Sequence, residues 1–312
     1  MAKNINKDLT KYSTNNEKLN PSWVTGFTDA EGCFQLVIHK NPKMRSGWSV
    51  RLVFSIHLHV KEIDVLYKIQ KFFRGGNVTI HKDTANYQVV SLTDLLRVIE
   101  QFNLYPLRTQ KHSDFLLFKK AYDLIANKEH LLDIKNLVNI RASMNKGLPE
   151  RLLLEFPNTN PEIRPEFTLN KNDKLFEINY WIAGFVEGEG CFYVKTSKSK
   201  THKLGLSVTL NFIVTQNIRD MQLMEEIKST LGCGSITINE SSSVIRFAVT
   251  NLSDIQNKII PFFDKYSLIG DKLRNFEDFK KVSDLMTQKS HLTKEGLDKI
   301  LTIKSNMNFN RK

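Results

Sequence analysis

One phrase occurs twice in this chain, and it restricts the possible folds more than any other feature. WVTGFTDAEG, residues 23–32, runs into Cys33 and Phe34; 158 residues further on, WIAGFVEGEG, residues 181–190, runs into Cys191 and Phe192. Each copy reads as a short apolar helix with a small residue at its centre, a glutamate at its C-terminal end and a glycine after it. Asn20 and Pro21 suit the cap and first position of the first helix, and Gly32 suits its end. Mid-helix glycines such as Gly26 and Gly184 cost roughly 1 kcal/mol against alanine. Close approach of two helix backbones is the compensation that fits. A helix C-terminus carries partial negative charge, so Glu31 and Glu189 sit at the wrong end unless something positive arrives.

The repetition extends well beyond the phrase. Residues 34–40 match 192–198 and residues 47–61 match 205–219; later the offset drifts to 161 (Tyr105 and Tyr266) and then to 163 (Met144 and Met307). A period this long implies one fold duplicated in tandem rather than a solenoid. Periodicity places strands over 34–40 and 48–58, a helix over 61–73, strands over 77–81 and 87–91, and helices near 93–103, 111–127 and 131–144. In the 48–58 strand, Trp48, Val50, Leu52, Phe54, Ile56 and Leu58 alternate with Ser49, Arg51, Val53, Ser55 and His57, so one face is core and the other polar. The expected class is α+β, with antiparallel sheets covered by helices on one face. Residues 1–148 and 176–312 form the two halves. Residues 149–175, with Pro157, Pro161 and Pro165, read as an extended linker.

Charge points to a polyanionic partner. The net charge is +12, and both halves contribute: 22 Lys and Arg against 14 Asp and Glu in residues 1–150, and 23 against 19 thereafter. Hydrophobic residues make up 41% of the chain, with no run approaching a membrane span. Three cysteines, none in a CxxC pair, build no closed disulfide framework. The first twenty residues resemble neither a secretion signal nor a transit peptide. His57 and His59 lack the partners of a zinc site, and there is no P-loop or nucleophile elbow.

Packed side by side through their glycines, the two motif helices would bring Glu31 and Glu189 together. Paired carboxylates beside basic sheets suit metal-assisted hydrolysis of a nucleic-acid backbone, with Mg²⁺ as the expected cation and Ca²⁺ or Mn²⁺ able to substitute. Lys111 and Lys272 recur in register before a helix and are the lysines expected to stabilise developing charge. Outward strand positions supply DNA-reading candidates: Gln35, His39, Arg51, Ser55 and His57 in the first half, and Tyr193, Lys195, Ser197, Thr209, Asn211 and Thr215 in the second. Loop residues Lys43, Arg45, Lys198, Lys200 and Lys203 suit phosphates or outer bases. An eleven-residue strand, at about 3.3 Å per residue, spans about ten base pairs, so two halves cover about twenty.

The phrases at 24–32 and 182–190 resemble the two signature motifs of the LAGLIDADG homing endonucleases, in the single-chain, two-motif form. The likeness covers residues 15 to 308 and is nearest to the branch encoded in fungal mitochondrial group I introns. It implies a pseudo-twofold saddle of two αββαββα halves, motif helices at the interface, a monomer, double-stranded DNA along both sheets and a mitochondrial location. It implies that Glu31 and Glu189 bind the metal, aided by the backbone carbonyls of Ala30 and Gly188. Lys111 and Lys272 match the active-site lysine, and Gln216 matches an active-site glutamine. Leu58 stands where the first half would carry that glutamine, so the two sites are expected to differ. Asp29 and Glu187 match the motif's earlier acid and read as structural. The alternative on the same scaffold is a maturase that binds its own intron RNA without cutting.

Overall fold

The computed structural model describes residues 18–44, 46–131, 133–167 and 175–308. In the first half, helix α1 (Pro21–Glu31) leads into strands β1 (Gly32–Lys40) and β2 (Trp48–His59), then α2 (Ile63–Phe73), β3 (Asn77–His81), β4 (Thr84–Val89), α3 (Leu92–Leu104), α4 (Lys111–Ala126) and α5 (Lys135–Ser143). After α6 (Glu150–Glu155) the second half repeats this order. It runs through α7 (Ile178–Glu189), β5 (Gly190–Lys198), β6 (Leu206–Asn217), α8 (Met221–Leu231), β7 (Ser235–Asn239), β8 (Val244–Val249), α9 (Leu252–Asp254), α10 (Ile260–Lys265), α11 (Asp271–Thr287) and α12 (Lys294–Ser305). Each half holds one four-stranded antiparallel sheet, in the orders β1-β2-β4-β3 and β5-β6-β8-β7.

Alternation builds each half as expected. The even-numbered residues of β1 and the central part of β2 turn inward, so Phe34 and Phe54 meet Phe102, Phe115 and Phe118 in one aromatic core. Phe192 and Phe212 meet Phe263, Phe276 and Phe279 in the other. The Asn20 side chain caps α1 by accepting from Ser22 N at 2.8 Å, with Pro21 in the first helical turn.

Several boundaries differ from the sequence reading. Strand β4 begins at Thr84 because Lys82, at φ 52°, permits a tight turn that pairs His81 with Thr84. Ser91 leaves the strand to cap α3, accepting from Asp94 N at 3.1 Å. The helix expected from residue 61 starts as a 3₁₀ turn over Val60–Glu62 before α2, and another 3₁₀ turn, Glu129–Leu131, precedes α5. The linker is not simply extended. It contains α6, too short to show periodicity, which buries Leu152 and pairs Glu155 with Lys40 of β1 at 2.5 Å.

The drift between the copies has structural causes. The β7–β8 connection adds a 3₁₀ turn, Glu240–Ser242, where the first half turns directly, and this moves the offset from 158 to 160. Between α9 and α10 the helix widens to π geometry over Ile255–Ile259, just ahead of Pro261. A π turn accommodates one extra residue, which accounts for the further step to 161.

Candidate active site and nucleic-acid interface

Helices α1 and α7 pack against each other at backbone distance. A Cβ placed on Gly26 would lie 2.0 Å from the carbonyl oxygen of Trp181, and one on Gly184 would lie 2.0 Å from that of Trp23. The contact is reciprocal, as the duplicated glycine required. Trp181 Nε1 donates to Asp29 Oδ2 at 2.8 Å across the seam, and Glu177 N donates to Ser22 Oγ at 3.0 Å.

The two C-terminal ends meet at the bottom of this seam. The Glu31 side chain lies against Gly188, whose added Cβ would sit 3.0 Å from Glu31 Oε1. Burial raises the pKa of both Glu31 and Glu189, and for Glu189 the neighbouring charge of Glu31 raises it further; Lys111 and Lys272 oppose both shifts. The four groups therefore form one cluster, as the repeated phrase suggested. Gln216 lies close enough to Glu189 to favour its ionised form, partly offsetting the effect of burial. It reaches there because it lies at the end of β6 in the same alternating register as Leu210, Phe212 and Val214, on the helix-facing side. Leu58, in the equivalent position of β2, packs against the first core instead.

The positive charge demanded by the helix ends is already present as lysine. Lys111 Nζ donates to the carbonyl oxygens of Thr28 and Asp29, both at 2.9 Å, and of Ala30 at 3.4 Å. Lys272 Nζ donates to Gly190 O. Burial lowers the pKa of Lys111, against the pull of Asp29, Cys33, Glu31 and Glu189. Asp29 and Glu187 take the structural role expected of them. Asp29 accepts from Arg108 N (2.8 Å), Thr109 N (3.2 Å) and Thr109 Oγ1 (2.7 Å), while Glu187 accepts from Ile269 N (2.8 Å) and Gly270 N (2.9 Å). Each acid thus holds the loop that delivers its half's lysine.

The oxygen-only donor set of two carboxylates and helix-end carbonyls suits a hard divalent cation. Among the described residues, no group of three or more His, Cys, Asp or Glu side chains is arranged to hold a metal.

Most outward strand candidates are accessible on the face away from the helices: Arg51, His57 and Lys195 are exposed, and Gln35, His39, Tyr193, Ser197, Thr209 and Thr215 are half-buried. Lys43, Lys200 and Lys203 are exposed in their loops and Lys198 is exposed at the end of β5, while Arg45 lies outside the described residues. Two candidates need correction. Ser55 is 0% exposed and Asn211 only 6%. Each is a short side chain on a central strand, flanked by Cys33 and Gln88 or facing Tyr193, so neither presents its polar group to solvent. Register brings further outward positions into line on the second hairpin of each half, where no repeat-phrase residue points to them. Asn86 and Thr79 stand in line with His57, and Arg246 and Thr237 with Thr215.

The profile of the LAGLIDADG endonuclease family matches residues 24–122 and 182–283. The chain belongs to this family. It is 40% identical over 299 residues to "Probable intron-encoded endonuclease 3" of Neurospora crassa, covering 93% of this chain and 55% of that protein. It is 35% identical to "Probable intron-encoded endonuclease 2" of the same fungus, covering 93% and 65%. The chain thus spans between about half and two-thirds of the length of these relatives. Among solved structures, the LAGLIDADG homing endonuclease I-SmaMI bound to cleaved DNA is 40% identical, with a TM-score of 0.90, covering 96% of this chain and 100% of that one. I-SmaMI bound to uncleaved DNA in the presence of calcium ions gives a TM-score of 0.88 at the same identity, covering 93% and 99%.

Proposed function

We propose that this LAGLIDADG protein is a metal-dependent, site-specific DNA endonuclease that makes a double-strand cut in a long, non-palindromic duplex. The observation that carries this is the meeting of Glu31 and Glu189 with Lys111 and Lys272 where the two motif helices end. The target spans about twenty base pairs, set by strand length in the two sheets. The protein acts as a monomer, because one chain supplies both motifs. Its intron-encoded relatives and the calcium-containing DNA complex of I-SmaMI support this reading.

Glu31 and Glu189, with the carbonyls of Ala30 and Gly188, would hold Mg²⁺, with Ca²⁺ or Mn²⁺ able to replace it. When bound, the cation lowers the pKa of a water and offsets charge on the scissile phosphate. The chain's own groups do the rest. Gln216 orients the Glu189 carboxylate. Lys111 and Lys272 place ammonium groups beside the developing charge, one in each half, so each half serves one strand. The sheet faces supply affinity and base reading, through Arg51, His57 and Lys195 among others. A mitochondrial, intron-encoded origin goes with the fungal relatives.

Glu31→Gln and Glu189→Gln test the site. Each should abolish cutting of one or both strands in Mg²⁺ while DNA affinity stays within about threefold, because most phosphate contacts lie on the sheets. Normal cutting by either variant would remove the site from this position. Tight binding of the host intron RNA without any duplex cutting by the unmodified chain would favour the maturase alternative.

A further inference from the structure

The loop over 107–110 delivers Lys111 to the site, and it is gripped from three sides. Asp29 of the same half accepts from Arg108 and Thr109, as described above. Arg164 of the connecting segment donates Nη2 to Gln110 O at 3.2 Å and holds Asp114 with Nη1 at 2.7 Å and Nη2 at 3.1 Å. The third grip comes from the opposite half. Asp220, in the 3₁₀ turn Ile218–Asp220 between β6 and α8, accepts from Gln110 N through Oδ1 at 2.9 Å and is only 5% exposed. Gln110 is the cap residue of the 16-residue helix α4, and its own side chain makes no capping bond. The capping carboxylate therefore arrives in trans, one residue before Lys111. Arg108 reinforces the same junction, with Nη2 bonded to Glu226 of the second half at 2.6 and 2.7 Å.

The arrangement is not mirrored. Glu62, the counterpart of Asp220, faces the carboxylate of Asp271 as well as the ammonium of Lys272. The counterpart of Arg108 is Ile269, which offers no cation. The loop before Lys272 is fixed by Glu187 from within its own half, while Glu62 of the first half adds only a charge facing that lysine.

We propose that Asp220 is a positioning residue for Lys111, so that the second half sets the geometry of the lysine serving the first. This rests on the nuclease reading above. An orphaned, half-buried amide at the start of α4 would let the first turn shift, and displacements of about 1 Å in a reacting group cost on the order of a hundredfold in rate. The lysine of the other half would feel none of this.

The test uses the full chain and a duplex target with each strand labelled separately. Lys111→Met identifies the strand that Lys111 serves. Asp220→Ala should slow that strand about tenfold or more, leave the other strand near its normal rate, and leave DNA affinity in Ca²⁺ unchanged. Asp220→Asn retains an acceptor oxygen and should restore most of the lost rate, which a merely structural role would not require. Should Asp220→Ala fail to fold, Asp220→Ser, whose hydroxyl is too short to reach Gln110, carries the same expectation. Equal slowing of both strands, or no slowing, overturns the proposal. Hydrogen exchange on the metal-free protein separates this outcome from a failure of the nuclease reading. If no duplex is cut by any form, loss of amide protection in Asp220→Ala confined to residues 107–112, with 268–273 unaffected, still supports the trans cap. Unchanged protection at 107–112 overturns it.

Discussion

Placing a methyl group on Gly26 or Gly184 would bring carbon within 2.0 Å of a carbonyl oxygen of the facing helix, and backbone cannot rotate away as a side chain can. Gly26→Ala or Gly184→Ala should therefore cost about 3 kcal/mol or more, at the upper end of overpacking penalties. Thermal unfolding would show it as a large drop in Tm, or as insoluble protein. The same scale governs the difference between the two sites. Gln216 favours the ionised form of Glu189, whereas Leu58 offers no polar group in the first half. Gln216→Leu should slow only the strand served by Glu189, by about tenfold, the loss expected for one hydrogen bond to a charged group. Strand-resolved nicking assays measure this directly. The glycine contact was legible in the sequence because the repeat displays it twice, whereas the Gln216 and Leu58 positions were marked only by the family resemblance. Asp220 and Glu226 were not legible. Their partners, Gln110 and Arg108, lie more than a hundred residues away in the other half, and no local pattern marks a carboxylate that acts across an interface.

Within α7, Glu187 belongs to the helix but serves a loop, and this gives the helix a pH dependence. Burial pushes Glu187 from an ordinary 4.5 up to about 7, although the amides of Ile269 and Gly270 favour its ionised form. A folded state that holds this proton more tightly than the unfolded chain has the full stabilisation below pH 4.5 and loses it as the pH rises towards about 7. Asp29, Glu31, Glu189 and Asp220 are all shifted in the same direction by burial. The Tm of the metal-free protein should accordingly fall between pH 5 and pH 7, and Glu187→Gln should remove part of that slope while lowering Tm throughout. A slope unchanged in the variant would show that Glu187 is ionised across this range. At this scale the sequence revealed the type and order of nearly every strand and long helix, since their alternation is strict. It failed at the connections. A two-residue turn at Lys82, a serine that caps rather than extends, and a six-residue helix at 150 are set by backbone torsions and a single buried leucine. Windows of hydrophobic periodicity do not register features so short.

For the molecule as a whole, a net charge of +12 to which both halves contribute implies binding dominated by phosphate neutralisation. Between 50 and 200 mM salt, affinity for the target should fall by about a thousandfold or more, as for proteins that contact six to ten phosphates; fluorescence anisotropy across a salt series checks this. The connector belongs to this scale as well. Over residues 149–167 it is strapped to the first half by Arg164, by Ser113 donating to Pro165 O at 2.7 Å and by Lys120 pairing with Glu162 at 2.6 Å. Its prolines were readable, but the surface that receives it was not.

Near the foot of the seam, Ala30 and Gly188 are not interchangeable. The Cβ of Ala30 occupies the space that a side chain on Gly188 would need, with only 2.5 Å between them. Two copies of α1 brought together in the same way would set methyl against methyl, and two copies of α7 would leave a gap. The contact is consequently keyed: each helix fits the other better than it fits itself. A chain that carries both has its proper mate already attached, and crowding with identical molecules gives the halves little reason to exchange.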